Sequence, residues 1–263
     1  IGLDENERLI SYLPLAHITE RAVILAPCVY AGATLYFVES LDTFQRDLKT
    51  AEPTCFLSVP RLWTKFQSGV HAKLPPKKLR ILLSIPLLGN VVAKKIRTEL
   101  GFSSCRLFGS GTAPISPAVL KWYRRLGIDI SEGWGMTETN ALGIGMIGDD
   151  YLKRPESAGK LHPPVQELRL LDDAGNDVPL GQLGEITVKS PANMRCYLNK
   201  PEATAETMQD GWLRTGDLAV MDAEGYVTIL DRKKNIIIRG GENIACLDVE
   251  GALHRLPDVV EAC

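Results

Sequence analysis

Hydrophobic patterning changes texture once along this chain, and that change limits the folds open to it. Between residues 8 and 131 short apolar runs alternate with longer amphipathic ones, the pattern of strands laid between helices in an α/β unit. The spacing predicts strands at Arg8–Leu13, Thr34–Val38, Thr54–Ser58, Ser104–Phe108 and Ile128–Ser131. It predicts helices at Ile18–Tyr30, Thr43–Ala51, Pro60–Ala72 and Ser116–Leu126. Ser116-Pro117 is a good helix opening, a capping hydroxyl followed by proline where a missing N–H costs nothing. After about residue 150, strand-length runs (Val165–Leu171, Glu185–Lys189, Leu218–Met221, Tyr226–Leu230) are separated by Asp172-Asp-Ala-Gly175 and Asp222-Ala-Glu-Gly225 turns. The expected architecture is α/β. Residues 1–150 form part of a layered α/β domain, 151–230 a small β-rich subdomain, and 231–263 a hinge with the start of an α+β C-terminal domain.

The totals exclude several classes. At 263 residues the chain can hold one large core or two smaller ones, and 45% hydrophobic with 24% charged residues is ordinary for a soluble globular protein. A formal charge of −2 makes no electrostatic case for nucleic acid. Cys28, Cys55, Cys105, Cys196, Cys246 and Cys263 contain no C-x-x-C pair, which argues against a zinc site or disulfide scaffold and for a reducing cytoplasm. No apolar run reaches the roughly 18 residues of a membrane span, and no signal peptide is visible.

Chemistry concentrates in a few segments. In Ser131-Glu-Gly-Trp-Gly-Met-Thr-Glu-Thr139, Gly133 and Gly135 let backbone approach a flat ring, and Trp134 offers an aromatic face. Thr137 can donate to a phosphate, and Glu138 presents a hard oxygen suited to Mg²⁺. Downstream, Asp217 in Arg214-Thr-Gly-Asp can accept from a pair of ribose hydroxyls, and Arg232 in Asp231-Arg-Lys-Lys234 can donate to them. Gly109-Ser-Gly-Thr-Ala-Pro114 follows a strand and precedes a helix, where open α/β sheets bind ligands. Each has a structural alternative: a buried tryptophan between turn glycines, a helix start at Thr137-Glu138, a turn aspartate after Gly216, a solvated charge run at 231–234. His17, after Leu13-Pro-Leu-Ala16, is equally a satisfied structural histidine or a substrate contact. Lys73–Arg97 carries seven Lys/Arg around the apolar Ile81–Leu88. It fits either a solvated insertion over a core helix or peripheral contact with the inner face of an anionic membrane, although its prolines argue against one continuous interfacial helix.

Taken in order, these motifs resemble the adenylate-forming (AMP-binding) superfamily. Tyr12-Leu-Pro-Leu-Ala-His-Ile-Thr-Glu-Arg21, Val59-Pro-Arg-Leu-Trp63 and Gly109–Ile115 look most like its long-chain fatty acyl-CoA synthetase branch, and the resemblance runs from about residue 8 to the C-terminus. It implies a fatty acid–CoA ligase using ATP, Mg²⁺ and coenzyme A as co-substrate, with small-molecule partners and no nucleic acid. It assigns Ser110, Gly111, Thr112, Ala113, Pro114, Glu132, Gly133, Trp134, Gly135, Thr137, Asp217 and Arg232 to the nucleotide and Glu138 to the metal. Thr137, Glu138 and Lys234 become the catalytic group, with Lys234 the pivot of the C-terminal domain. His17, Gly240 and Gly241 fall to acyl and pantetheine contacts. Trp134 stands where the family often has tyrosine, Ile238 where some relatives have lysine, and Cys246 where proline is frequent. The family's Ser/Thr/Gly-rich phosphate loop and its C-terminal lysine have no match here, so a fragment of a longer enzyme, inactive alone, is expected. Transfer to a carrier protein or an amine, or an inactive truncated scaffold, remain the alternatives.

Overall fold

Proline and glycine set the ends of many elements in this chain. The computed structural model describes residues 3–113, 115–146, 153–154, 157–161, 166–235, 237–239, 242–244 and 246–253. The chain divides into two units, residues 1–142 with 146–155, and residues 143–145 with 156–263.

In the first unit, β1 (Arg8–Ser11) leads to a helical stretch wound as a π-helix over Thr19–Leu25 and then as α1 (Ala26–Ala31). The change of winding falls at Ala26-Pro27, where proline has no N–H to donate, so the single helix expected at Ile18–Tyr30 is two. Gly32 ends it at φ +68°, and β2 (Thr34–Phe37) pairs parallel to β1. There follow α2 (Phe44–Ala51), β3 (Cys55–Ser58), α3 (Pro60–Lys73), α4 (Pro76–Ser84), α5 (Leu88–Leu100), β4 (Leu107–Ser110), α6 (Pro117–Arg124) and β5 (Ile130–Gly135). Pro60, Pro76 and Pro117 each sit in the first helical turn, and the Ser116 hydroxyl accepts the Ala118 N–H at 3.3 Å, the cap expected from the sequence.

Strands β3, β4 and β5 run parallel, with Ser58 opposite Ser110 and Ser110 opposite Glu132. The strand expected at Ser104–Phe108 lies later, at Leu107–Ser110. The N–H groups of Arg106 and Leu107 both donate to the Thr54 carbonyl, which starts the ladder there. Helices cover these strands through an aromatic core. Trp63 is fully buried, edge-on to Phe56 at 5.4 Å and to Tyr123 at 4.9 Å. Its indole N–H donates to the Gly109 carbonyl at 3.3 Å, and its own carbonyl accepts the Tyr123 hydroxyl at 2.6 Å. A Cβ on Gly109 would lie 2.4 Å from Leu57 Cδ1, so any larger residue there would push the Leu57 side chain out of its present position.

The second unit is mainly antiparallel. It contains β6 (Gly143–Met146) apart from its last residue, β7 (Gly159–Leu161), β8 (Glu167–Leu171), β9 (Leu183–Lys189), β10 (Met208–Gln209), β11 (Trp212–Met221) and β12 (Tyr226–Arg232). The order is β6-β7-β12-β11-β9-β8, with β10 on β11. Strand β11 alternates half-buried and buried residues along most of its length, the period-two signature of a strand with one face on a core. Ile186, Val188, Leu213, Ala219 and Val227 fill that core. A helix at Pro201–Thr207, a hairpin of Ile237–Arg239 with Glu242–Ile244, and a helix at Cys246–Leu253 complete the described elements. The fold is the mixed α/β one expected. Among the described residues no helix is long and apolar enough to cross a membrane.

Trp63→Ala removes both the aromatic packing and the indole donor, so it should cost about 3–5 kcal/mol, the usual range for emptying a buried aromatic site. Trp63→Phe should cost less than half as much. Urea unfolding followed by near-UV circular dichroism compares the two.

Candidate nucleotide site

The parallel strands of the first unit end in polar residues. Ser110 closes β4 with its side chain buried, and its Oγ finds no hydrogen-bond partner among the described residues. Leaving a buried hydroxyl unpaired costs roughly 1–3 kcal/mol, so this is a group that a ligand can satisfy. Beyond it the backbone turns sharply. Thr112 lies at φ +73°, rare for a β-branched residue, and a Cβ on Gly111 would meet the Gly133 carbonyl at 3.3 Å. Glu132, opposite Ser110, accepts the Ile115 N–H on Oε1 at 3.1 Å and so ties the Ser110–Ile115 loop to β5. Ser110, Gly111, Glu132 and Gly133 are therefore brought together.

Gly133, Trp134 and Gly135 belong to β5 rather than to a turn. Gly135 lies so near the following turn that a Cβ would sit 2.7 Å from the Ala141 carbonyl. Thr139 holds that turn. Fully buried, its Oγ1 accepts the Met136 N–H at 3.0 Å and donates to the Leu142 carbonyl at 2.5 Å. The Ala141 N–H closes back on the Met136 carbonyl at 2.8 Å, with Asn140 and Ala141 both at positive φ. Thr137 is thereby presented exposed, with Glu138 beside it half-buried. Among the described residues no three metal-ligating side chains cluster. A single carboxylate is nonetheless a fitting partner for Mg²⁺, which takes one or two carboxylates plus phosphate oxygens and water.

In the second unit Asp217 is buried on β11 directly opposite Arg232 on β12, and Arg232 Nε stands 3.3 Å from Asp217 Oδ1. Asp217 thus lies inside a strand, where a turn had been the alternative. Gly216, at φ +73°, sits in an irregular stretch of the β11–β9 ladder. Glu185 on β9 braces it. Its Oε1 accepts the Gly216 N–H at 3.1 Å and its Oε2 accepts Arg214 Nη2 at 2.7 Å. Lys233 donates its N–H to the Gly216 carbonyl at 2.7 Å, while its ammonium bridges Asp173 at 2.6 Å and Glu185 at 3.6 Å. Burial would push the Glu185 carboxyl up, but the Arg214 guanidinium, the Gly216 N–H and the Lys233 charge outweigh it and hold the group below the ordinary glutamate range. Thr215 finishes the brace, donating to the Ile186 carbonyl at 2.7 Å and accepting the Asp217 N–H at 3.1 Å.

Asp231, expected to open a hinge, is buried in β12 and accepts the N–H groups of Arg232 and Cys246 at 2.7 and 2.6 Å. Lys234 follows β12 in an exposed turn. His17 lies in the turn after β1, its Nδ1 accepting the Thr19 N–H at 3.2 Å. Ala113 is exposed beside Thr112. Pro114, Gly240 and Gly241 lie outside the described residues. Glu185, Thr139 and Arg214 drew no assignment from the sequence, although all three hold the motifs in place.

Comparison with known proteins decides the family. The AMP-binding enzyme family matches residues 1–198. The chain belongs to it. A feruloyl-CoA synthase of Amycolatopsis sp is 29% identical over 262 residues, covering 99% of this chain and 48% of the relative. A long-chain-fatty-acid–CoA ligase of Yersinia pestis is 42% identical over 161 residues, 60% of this chain and 28% of the relative. The o-succinylbenzoate CoA synthetase of Bacillus subtilis, solved with its acyl-adenylate OSB-AMP, superposes at TM-score 0.79 with 28% identity over 99% of this chain and 48% of that one. The same enzyme with ATP and magnesium ion gives 0.76 at 28% identity, over 99% and 49%. The chain spans about half the length of these full-coverage relatives.

Glu185→Gln should destabilise the second unit by about 3 kcal/mol at neutral pH, since it leaves Arg214 and Lys233 without their shared anion. A carboxyl held below its ordinary range contributes stability that is present above the unfolded value and lost as pH falls through the folded one. The gap between wild type and variant should therefore close below about pH 4. Melting temperatures measured from pH 7 to pH 3 would show it.

Proposed function

We propose that the protein containing these residues is an AMP-forming acyl-CoA ligase that activates a fatty acid. The observation that carries this is the buried Asp217 carboxylate set opposite Arg232, an acceptor and a donor on adjacent strands that suit the two hydroxyls of a ribose. The unpaired Ser110 hydroxyl together with Gly111, Thr112, Ala113 and Pro114 would take the adenine edge, with Glu132, Gly133, Trp134 and Gly135 along its face. Family membership and the acyl-adenylate in a solved relative support this assignment.

The carboxylate of the acid is already ionised at neutral pH, so attack on the α-phosphorus of ATP needs no general base. Repulsion between anions is the barrier. The exposed Thr137 hydroxyl donates to the α-phosphate, and Mg²⁺ held by Glu138 would supply positive charge there. Asp217 and Arg232 fix the ribose so that attack and departure of pyrophosphate are in line. The thiol of coenzyme A then attacks the acyl carbonyl of the adenylate, forming the thioester as the acyl–phosphate bond breaks and AMP leaves, with His17 at the acyl pocket and Gly240 and Gly241 along the pantetheine path. Residues 231–263 act in this scheme as hinge and first part of a C-terminal domain, turning about Lys234 between the two half-reactions.

A fatty acid is favoured over an aromatic acid by the 42% identity to the Yersinia pestis ligase, higher than the 29% to the feruloyl-CoA synthase although over a shorter stretch. Pyrophosphate release by the protein containing these residues, measured across fatty and aromatic acids with and without coenzyme A, tests substrate class and acceptor together. Release that ignores coenzyme A and requires a carrier protein would move it to another branch.

Asp217→Ala should lower kcat/KM for ATP about 10- to 100-fold, the equivalent of losing charge-assisted hydrogen bonds of about 1.5–3 kcal/mol. Thr137→Ala should lower kcat more than it raises KM for ATP, since its donor matters most as charge builds on the α-phosphate. Steady-state ATP–pyrophosphate exchange separates the two.

A further inference from the structure

Between Pro53 and Thr98 the chain contains nine lysines and arginines and no aspartate or glutamate, although its formal net charge is −2. The centre of that stretch folds as the α4–α5 hairpin, whose joint is unusual. The Leu88 N–H donates to the Pro86 carbonyl at 2.7 Å across Leu87, which lies at φ +65°, ψ −52°. This is a γ-turn of the rare, strained kind, here centred on a leucine. Leu87 is 82% exposed, and Ile81 (62%) and Val91 (63%) are exposed on the two helices that flank it, with Ile85 and Leu88 close behind.

Charge surrounds this apolar tip at a regular depth. Lys77 lies four residues before Ile81 and Lys95 four residues after Val91, so each stands on the same helical face, about 6 Å back along its axis. Lys78 and Lys94 add to the ring, and all four lysines are exposed without an ion pair among the described residues. Helices that lie in a bilayer surface bury their apolar residues roughly 5–10 Å into the headgroup boundary, with basic residues at headgroup level. The dimensions match.

We propose that the α4–α5 tip docks on an anionic lipid bilayer, with Leu87, Ile81 and Val91 entering the interface and Lys77, Lys78, Lys94 and Lys95 meeting lipid phosphates and carboxylates. A like-to-like contact with a second copy would set these lysines against one another, whereas an anionic lipid surface complements both the apolar tip and the charge behind it. The strained joint keeps a leucine at the point of deepest entry. The contact is peripheral and needs neither ATP nor acyl substrate, so it stands or falls separately from the catalytic assignment.

Co-sedimentation of the full 263-residue chain with phosphatidylserine–phosphatidylcholine vesicles, at low and high salt, tests it. Binding should be strong at low salt, weak at high salt, and absent on pure phosphatidylcholine. The double change Lys77→Gln with Lys78→Gln should weaken it roughly thirtyfold, since each lysine at an anionic surface contributes about 1 kcal/mol and about 1.4 kcal/mol is a factor of ten. In a Leu87→Trp variant, tryptophan emission should shift to the blue on anionic vesicles and be quenched by brominated acyl chains. Circular dichroism checks that both variants keep the fold. Wild-type protein that stays in the supernatant, lysine variants that bind like wild type, or a Leu87→Trp variant whose emission is indifferent to vesicles would each overturn the proposal. So would self-association in vesicle-free solution that the same changes abolish.

Discussion

A single indole N–H, donated by Trp63 to the carbonyl of Gly109, joins the core of the first unit to the end of its central strand. Trp63 enters from α3, Gly109 belongs to β4, and the Tyr123 hydroxyl from α6 closes on the Trp63 carbonyl. One residue thus fixes two helices and a strand with its indole N–H and its carbonyl both satisfied, as a fully buried tryptophan requires. Ser110 and the Gly111–Thr112 turn follow directly on Gly109, so the position of the candidate adenine loop is inherited from core packing. The absence of a Cβ on Gly109 is part of the same arrangement, since it leaves the room that the Leu57 side chain fills.

The second unit solves a comparable problem with charge. Asp217 follows a glycine at positive φ in an irregular stretch of strand, a conformation with little intrinsic rigidity. Glu185 supplies the rigidity from the neighbouring strand by accepting the Gly216 N–H, and Arg214 and Lys233 neutralise the buried carboxylate that does so. The Lys233 N–H on the Gly216 carbonyl and Thr215 on Ile186 complete the brace. Three charged groups are spent on holding a backbone still, which leaves Asp217 and Arg232 to act as a pair.

What the sequence disclosed and what it withheld divide along the same lines. Local signals were readable: the Ser116-Pro117 cap, the apolar strand runs starting at Thr34 and Thr54, and the strand-length run from Tyr226 after its turn all reflect neighbours within a few residues. Gly109 and Ser110 were expected to follow a strand ending at Phe108, yet parallel pairing with Leu57 and Ser58 puts them inside β4. Glu185 was invisible because its partners Arg214 and Gly216 lie 29 and 31 residues away on another strand, and nothing in Gly184-Glu-Ile announces them. Thr139 was visible only as the last letter of a motif. Its role depends on a reversal of the chain at Met136–Leu142 that consecutive non-glycine residues at positive φ make hard to foresee. The grouping of basic residues in Lys73–Arg97 was plain, whereas the hairpin that displays them was not.

That hairpin shows why strain can be informative when packing fails to explain it. A Cβ on Gly89 would sit 2.7 Å from the Leu83 carbonyl, so glycine allows α5 to start hard against α4. The Gly89 N–H on the Ile85 carbonyl then closes the joint, and Pro86 restricts the chain entering it. These constraints account for a tight turn, but not for leucine at its centre. Glycine or asparagine would relieve a positive φ, and no buried contact is gained by a side chain so fully exposed. Folding alone therefore gives no reason for an apolar residue at Leu87, while an apolar medium beyond the tip does, and the lysines one turn back point to a medium with a negatively charged boundary.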